Sequence, residues 1–286
     1  MLCLISSFVV VLSLVSTVSC DTVATADDLI SLFKHATGNT LQTDIEVAAD
    51  LDFSSSNLTL PLGAFSNGTC VAFSGVFQGN GHTIKGLKMD NTDNEGHKDA
   101  GLFCTLNNAT VENLVVDSSC SFTGYSAGAL SVSVNGSLTV KNVTNNADVN
   151  GTEDVGGFVG FVEDLKQQTA ISFEYCVNHG SVTGNDTRVG GFVGLVSGNT
   201  NTTMTISNSL NNGDVTGNGV FIGLFIGCIY GNTNTTVTIS NSTINGSATG
   251  NDYIGGFVGY VWRNTNTTVT IFNSINNGSV TSGSSV

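Results

Sequence analysis

The chain has 286 residues, a net charge of −14, 35 glycines and a single proline, and only 10% of its residues are charged. Low charge with abundant Asn, Thr, Ser and Val excludes a disordered chain, which would be highly charged and poor in β-branched residues. The acidic balance argues against nucleic acid as a partner. An all-β protein with many polar turns remains, long enough for one large domain or two ordinary ones.

Residues 1–20 carry no charge and hold the apolar run 8–15, followed by the small residues Val18, Ser19 and Cys20. This reads as a cleaved signal peptide. The run falls short of the ~20 residues that span a bilayer, so no transmembrane segment is expected once it is removed. Thirteen Asn-x-Ser/Thr sequons agree with export to a secreted or extracellular-surface location. Asn57, Asn67, Asn108, Asn135, Asn185, Asn201, Asn234 and Asn266 are the glycosylation candidates, and Asn142, Asn150, Asn241, Asn245 and Asn277 complete the set. Behind the leader stand Cys70, Cys104, Cys120, Cys176 and Cys228, an odd number without a CxxC pair. One or two disulfides or simply buried thiols fit equally, with the pairing open.

Residues 21–43 read as an N-terminal capping region. Thr25 is the N-cap of a short helix, Asp28 its capping-box partner and Gly38 its terminator. Leu29, Ile30, Leu32 and Phe33 would cover the open end of a stacked structure, which needs such a cap. The alternation Ile45, Val47, Ala49, Leu51, Phe53 then opens the first sheet.

From 44 to 286 the chain repeats. Gly-Gly-Phe-Val-Gly stands at 156–160, 190–194 and 255–259, and Gly-Leu-Phe-Ile-Gly at 223–227. Phe158, Phe192, Phe225 and Phe257 are therefore 34, 33 and 32 residues apart, and looser copies surround Phe103 and Leu130. Later repeats carry an inserted Asn-Thr-Asn-Thr-Thr at 199–203, 232–236 and 264–268. Each repeat holds three β-prone runs too short to bury a core alone. Stacked coil on coil at about 4.8 Å they form three parallel sheets around a shared interior.

Three ladders are predicted. The first is Phe103, Leu130, Phe158, Phe192, Phe225 and Phe257; the second Ile84, Val111, Val140, Phe173, Ile206, Ile239 and Ile271; the third Phe122, Val149, Val182, Val215, Ala248 and Val280. Asn113, Asn142, Asn208, Asn241 and Asn273 line up as an asparagine ladder that Tyr175 interrupts. Inward side chains there would leave the Asn142 and Asn241 sequons bare, with Asn201, Asn234 and Asn266 modified in the inserted loops. A leucine-rich horseshoe lacks its Leu consensus here, and a propeller needs four strands per blade. The parallel β-helix wins.

The segment 73–84 (FSGVFQGNGHTI) resembles the opening segment of GLUG-motif β-helix proteins, and the Gly-rich units resemble the GLUG motif itself. The resemblance spans roughly residues 25–286. It implies a right-handed parallel β-helix with three short strands per 27–34-residue coil, secreted or surface-exposed and adhesin-like. It also implies non-catalytic repeats, no cofactor, and extracellular protein or glycan ligands. Some relatives add a peptidase domain, but no His-Glu-x-x-His occurs here.

Parallel β-helices also host polysaccharide-cleaving enzymes, whose sites need converging carboxylates. Asp148 and Asp214 share a repeat position, but Ser181 stands between them. Asp154 and Arg188 align on neighbouring coils as a surface ion pair, while His82 and His179 read as turn residues. The run 91–96 imitates a calcium loop, yet Leu102 occupies the place of its bidentate Glu, so no metal site is expected. Tyr260 should pack and Trp262 should be an exposed contact. The leading expectation is a non-catalytic secreted or cell-surface β-helix for adhesion or scaffolding. The alternatives are a polysaccharide-active lyase or glycoside hydrolase, or a fragment of a larger GLUG-repeat protein. The last coil ends at 282–286 without a polar cap, an edge that invites pairing. Concentration-dependent self-association through that end, or a longer native product, is expected.

Overall fold

The computed structural model describes residues 19–65, 68–91, 98–186, 188–218 and 221–283. Helix α1 (Ala26–Lys34) has the predicted capping box: the Asp28 amide donates to Thr25 Oγ1 at 3.2 Å, and the Thr25 amide donates to Asp28 Oδ2 at 2.9 Å. Its Ala26, Leu29, Ile30 and Phe33 are buried, whereas Leu32 only packs against the rim. Phe33 meets the rings of Phe73 and Phe103 at 6.3 and 5.8 Å, so the helix plugs the first coil. Ahead of it, strand Cys20–Val23 pairs in parallel with Asp44–Val47, an extra rung that the alternation beginning at Ile45 did not announce. Cleavage after Cys20 would leave Asp21, Thr22 and Val23 in that rung.

Every strand pairing among the described strands is parallel, each strand meeting its counterpart one coil away, and the fold is an all-β solenoid. Three sheets form its long faces. A fifteen-stranded sheet runs through Ala109–Val116, Leu138–Asn145 and Thr202–Ser207. An eight-stranded front sheet includes Val159–Glu163, Val193–Ser197, Ile226–Tyr230 and Val258–Trp262, and a seven-stranded side sheet includes Val182–Gly184 and Val215–Gly217. A narrow corner sheet of five strands, among them Asp154–Gly156, Arg188–Gly190 and Phe221–Gly223, joins side to front.

The Gly-Gly-Phe-Val-Gly unit makes that corner. A Cβ on Gly156, Gly190 or Gly223 would run into the carbonyl oxygen of Val159, Val193 or Ile226. A Cβ on Gly194 would lie 2.6 Å from the Val155 amide nitrogen, and one on Gly259 2.6 Å from the Ile222 carbonyl oxygen. Corner strand and front strand thus touch backbone to backbone, and no side chain fits between them. The bend leaves the intervening Phe pointing inward. Phe158, Phe192 and Phe225 are fully buried, with centroids 4.8 and 4.7 Å apart, and Phe257 continues the stack at 5.9 Å. Each such pair adds about 0.5–1.5 kcal/mol beyond its buried area.

The first and third predicted ladders stand as drawn. The second needs one correction. Val111 pairs with Phe77, which pairs with Ile45, whereas Ile84 pairs with Val116 and Leu51 in the next run of the coil. The shorter spacing of the early coils hid this shift.

The asparagines are rearranged more deeply. Asn113, Asn142, Asn208, Asn241 and Asn273 all adopt φ between 48° and 55°, the left-handed turn that Asn tolerates. Asn142 Nδ2 donates to Asn113 Oδ1 at 2.8 Å, but Asn142 and Asn241 are exposed and do not point inward. The interior amides are others. Asn145 donates to Asn178 and Asn178 to Asn211, both at 2.9 Å and all three fully buried. Asn199 and Asn232, fully buried, form a second column that half-buried Asn264 continues, with 3.0 Å bonds. Each buried amide also bonds the backbone, as Asn145 does with Ala147, so burial leaves no polar group orphaned. The inserted Asn-Thr-Asn-Thr-Thr is therefore a tight corner rather than a loose loop. Its first Asn points in and its second, at Asn201, Asn234 and Asn266, points out with φ of 49–56°.

Tyr175 occupies the left-handed position at φ 55° and is 52% exposed. A bulky side chain there costs about 1–2 kcal/mol, which Asn largely avoids. Tyr175→Asn should therefore raise stability by about 1 kcal/mol, a thermal midpoint about 2–4 °C higher by calorimetry.

Candidate functional site

The outer surface of the front sheet gathers the chain's unusual side chains into one strip. Strand pairing places Thr105, Ser133, Phe161, Leu195, Cys228 and Tyr260 in one column, and Glu163, Ser197, Tyr230 and Trp262 in a second. The corner sheet supplies a third at its edge, Asp154, Arg188 and Phe221, which Tyr253 extends. Such columns follow from parallel in-register stacking, which repeats each position one coil further along.

At the N-terminal end residues 59–65 and 68–70 lie over the sheet, tied down by the Cys70–Cys104 disulfide with a Cα separation of 6.2 Å. Between them and the sheet is a cavity of about 550 Å³, lined by apolar Leu60 and Pro61 from the overlying residues, by Val132 and Phe161 from the sheet, and by polar groups that include Lys98 and Ser133. Asn91 is buried and anchors this region, donating to the carbonyls of Thr59 and Asp99. A more open hollow of about 630 Å³ lies between α1 and the first rungs, lined by Asp21, Asp28, His35 and Gln42.

At mid-strip Arg188 bridges two acids. Its Nη2 donates to Glu153 Oε2 at 2.7 Å and its Nε to Asp154 Oδ1 at 2.5 Å. The pair expected at the surface is half hidden, because Asp154 is only 7% exposed. Burial pushes its carboxyl up to about 6, against the pull of the Arg188 charge. Ser197 donates to Glu163 Oε1 at 2.9 Å beside this group. Cys228 lies buried beneath it, its thiol raised to about 12 by desolvation.

The C-terminal end is aromatic. Phe221 stacks on Tyr260 at 4.4 Å with a 14° interplanar angle, and Tyr253 packs on Tyr260 at 4.7 Å. Trp262 lies 6.1 Å from Tyr260 and 5.9 Å from Tyr230, with the Arg263 guanidinium 4.3 Å above its ring. Tyr260 packs as expected and Trp262 is exposed as expected. The rings that join them, Phe221, Tyr230 and Tyr253, were not foreseen, because they come from other runs of the sequence.

The remaining candidates have structural partners. Asp148 and Asp214 each accept a backbone N–H of the next coil, from Ser181 at 2.9 Å and Ser247 at 2.8 Å. His82 has a carboxylate near, Asp50 at 3.5 Å, but Asp50 already binds Lys85 at 2.6 Å and the Thr83 amide. His179 meets Asn212 at the head of an exposed amide column that continues through Asn245 and Asn277. Of the proposed calcium loop, residues 92–96 lie outside the described residues, and no group of three metal-ligating side chains occurs among those described. Cys120 and Cys176 are buried thiols, raised by burial to about 11 and 12. Asn57, Asn108, Asn135, Asn185, Asn201, Asn234 and Asn266 are exposed; Asn67 lies outside the described residues. No helix among the described residues is long and apolar enough to cross a membrane.

Known proteins match this chain in two ways. Residues 23–151 match a family described as "Putative pectate lyase-like adhesive domain". Over 129 residues, 45% of the chain, it is 37% identical to halomucin of Haloquadratum walsbyi, a match that spans 1% of that protein's length. The solved structure of a "putative immunoglobulin A1 protease" from Bacteroides ovatus is similar with a TM-score of 0.68 and 16% identity, covering 91% of this chain and 84% of that one. At that identity the likeness is one of fold. The adhesive-domain match covers α1 and the cavity-lining residues other than Phe161, and the Gly-rich units from 156 onward lie beyond it.

The buried Asp154 gives the strip a pH signature. A carboxyl whose folded value is raised from 3.8 to about 6 stabilises the fold fully below pH 3.8 and loses that contribution as pH rises through 6. Asp28, Asp50, Asp52 and Asp117 are shifted downward, so their contributions fade only below the usual carboxylate range. Relative to Asp154→Asn, the wild type should lose stability on the order of 3 kcal/mol between pH 4 and 7. Paired urea titrations would check this, and a difference independent of pH would contradict it.

Proposed function

We propose that the protein is a non-catalytic extracellular β-helix that adheres to ligands through the outer strip of its front sheet. The observation that carries this reading is that the adhesive-domain match takes in the residues lining the cavity end of that strip, all but Phe161. The halomucin similarity, the sequon density and the GLUG-like repeats support an extracellular surface role, with protein or glycan ligands and no cofactor. Exposed sequons at Asn57, Asn108, Asn135, Asn185, Asn201, Asn234 and Asn266 are the proposed glycan sites. Asn142 and Asn241, being exposed, are open to modification as well.

A second reading, a polysaccharide-active enzyme, draws on one observation: Glu153, Asp154 and Glu163 cluster around Arg188, with Asp154 held partly protonated near neutral pH. The burial of Asp154 and its bond to Arg188 count against it, since a general acid must reach its substrate. Incubating the secreted protein with immobilised glycans and matrix proteins, and in parallel with soluble polysaccharides, separates the two. Retention on at least one surface without new reducing ends or unsaturated products is the expected outcome. Product formation abolished by Glu153→Gln would overturn the adhesive reading.

The last described coil turns Val261, Ile271 and Val280, side chains of the interior-facing class, 43–48% to solvent. Stacking this face on an equivalent face would bury them, so the 286-residue chain should self-associate with concentration in sedimentation. Ile271→Lys should weaken that association, and a strictly monomeric wild type would refute it.

A further inference from the structure

We propose that the aromatic patch of Phe221, Tyr230, Tyr253, Tyr260 and Trp262, with Arg263, is a binding subsite for the pyranose rings of a neutral glycan. The proposal deepens the adhesive reading and rests on it. The patch is not a by-product of coil stacking. In the corner column Asp154 and Arg188 give way to Phe221, with Tyr253 beyond it; in the front column Glu163 and Ser197 give way to Tyr230 and Trp262. Both columns become aromatic over the same two coils, while the inward column keeps its phenylalanines, Phe192, Phe225 and Phe257. The inward change over these coils is of another kind, a Gly and an Asn replaced by Leu224 and Ile244, and does not produce the outer rings.

Exposure points the same way. Tyr253 is 56% and Trp262 48% exposed, although Tyr260 and Phe221 beneath them are partly covered. Rings stacked and tilted against one another on the sheet surface leave a platform whose π faces can take sugar C–H groups. The phenol hydroxyls, the indole N–H and the guanidinium, whose Nη1 donates to the Tyr230 hydroxyl at 3.4 Å, offer polar groups for sugar hydroxyls. Two members of the patch also hold strained backbone. Tyr253 has φ 45° and Arg263 φ 53°. The residues that follow the same strand one and two coils earlier are Gly231 and Gly198, at φ 66° and 62°. Arg263 thus stands where the two preceding coils use Gly and the one before them Asp164, at φ 59°, residues that suit the turn better than Arg. Such strain is a mark of a side chain with a task.

The neutral assignment follows from charge. The protein carries −14, but from residue 190 onward its only charged residues are Asp214, Asp252 and Arg263, set among Asn, Thr and Ser. A polyanionic glycan would meet an acidic molecule through a single cation, whereas a hydroxyl-rich neutral one meets donors and acceptors throughout. A protein partner would need a larger dry area than five rings bordered by polar side chains provide.

Trp262 is the only tryptophan in the chain, so its fluorescence reports this patch alone. The full-length protein is titrated with neutral gluco-, xylo-, manno- and N-acetylglucosamine oligosaccharides, with oligouronates in a parallel arm and calorimetry alongside. A saturable Trp262 shift with at least one neutral oligosaccharide is expected, weakened at least tenfold by Tyr253→Ala. Arg263→Gly should raise the thermal midpoint while weakening the glycan severalfold, an opposition that loss of fold would not produce. Calorimetric binding with a silent Trp262, unaffected by Tyr253→Ala, would overturn the patch and leave the adhesive reading intact. Tighter binding of oligouronates would overturn the neutral assignment. Adherence only to protein-coated surfaces, lost with Tyr253→Ala, would make the partner a protein and overturn the glycan. Adherence to nothing would overturn the adhesive reading together with this one.

Discussion

The structure depends on the close approach of two backbones at one corner of every later coil. Gly156, Gly190, Gly223 and Gly255 admit the carbonyl of the residue three positions on, and Gly160, Gly194, Gly227 and Gly259 admit the corner strand from the other side. Removing both side chains lets the chain turn from corner sheet to front sheet within one motif. That turn throws the intervening Phe into the core, where it stacks on the next. A bulkier residue at either site would displace the strand itself, and every coil above would lose its register.

The interior is not simply apolar, and the polar part follows the same geometry. Where the second residue of the motif is Gly157, Gly191 or Gly256, a Cβ there would meet the amide of Asn178, Asn211 or Asn276. Where it is Leu224, the corresponding residue is Ile244, fully buried. The small residue makes room for an amide and the large one is matched by a hydrocarbon. Amide columns suit a solenoid because each Asn offers a donor and an acceptor at the repeat distance of the sheet. Unpaired, each would cost about 1–3 kcal/mol. In the stack each is satisfied by its neighbour and by backbone, so the columns fix register rather than merely fill space.

Because the core is repetitive, the outer columns are free to vary, and the front sheet uses that freedom along its length. A cavity under a disulfide-tied segment, an Arg held between two acids and an aromatic platform follow one another along a single strip. None of the three brings several exposed carboxylates onto one point, and each presents a different kind of contact. A surface graded in this way suits a long ligand or several ligands better than the turnover of one bond.

The sequence by itself determined the repeat, the parallel stacking, the helical plug and two of the three ladders. These are local or periodic properties: a capping box reaches three residues, and a coil of constant length keeps its register. Where coil length changed, between residues 77 and 111, periodicity failed and Ile84 was placed in the wrong run. Only the tertiary structure decided which asparagines face inward. Asn142 and Asn145 look alike in sequence, and a left-handed turn at Asn142 sends one out and the next in. The strip was equally hidden, because Phe221 and Tyr230 on one coil and Tyr253, Tyr260 and Trp262 on the next meet only when one coil lies on another. Spacing in sequence sets which residues share a column. The turns between columns set which columns share a face.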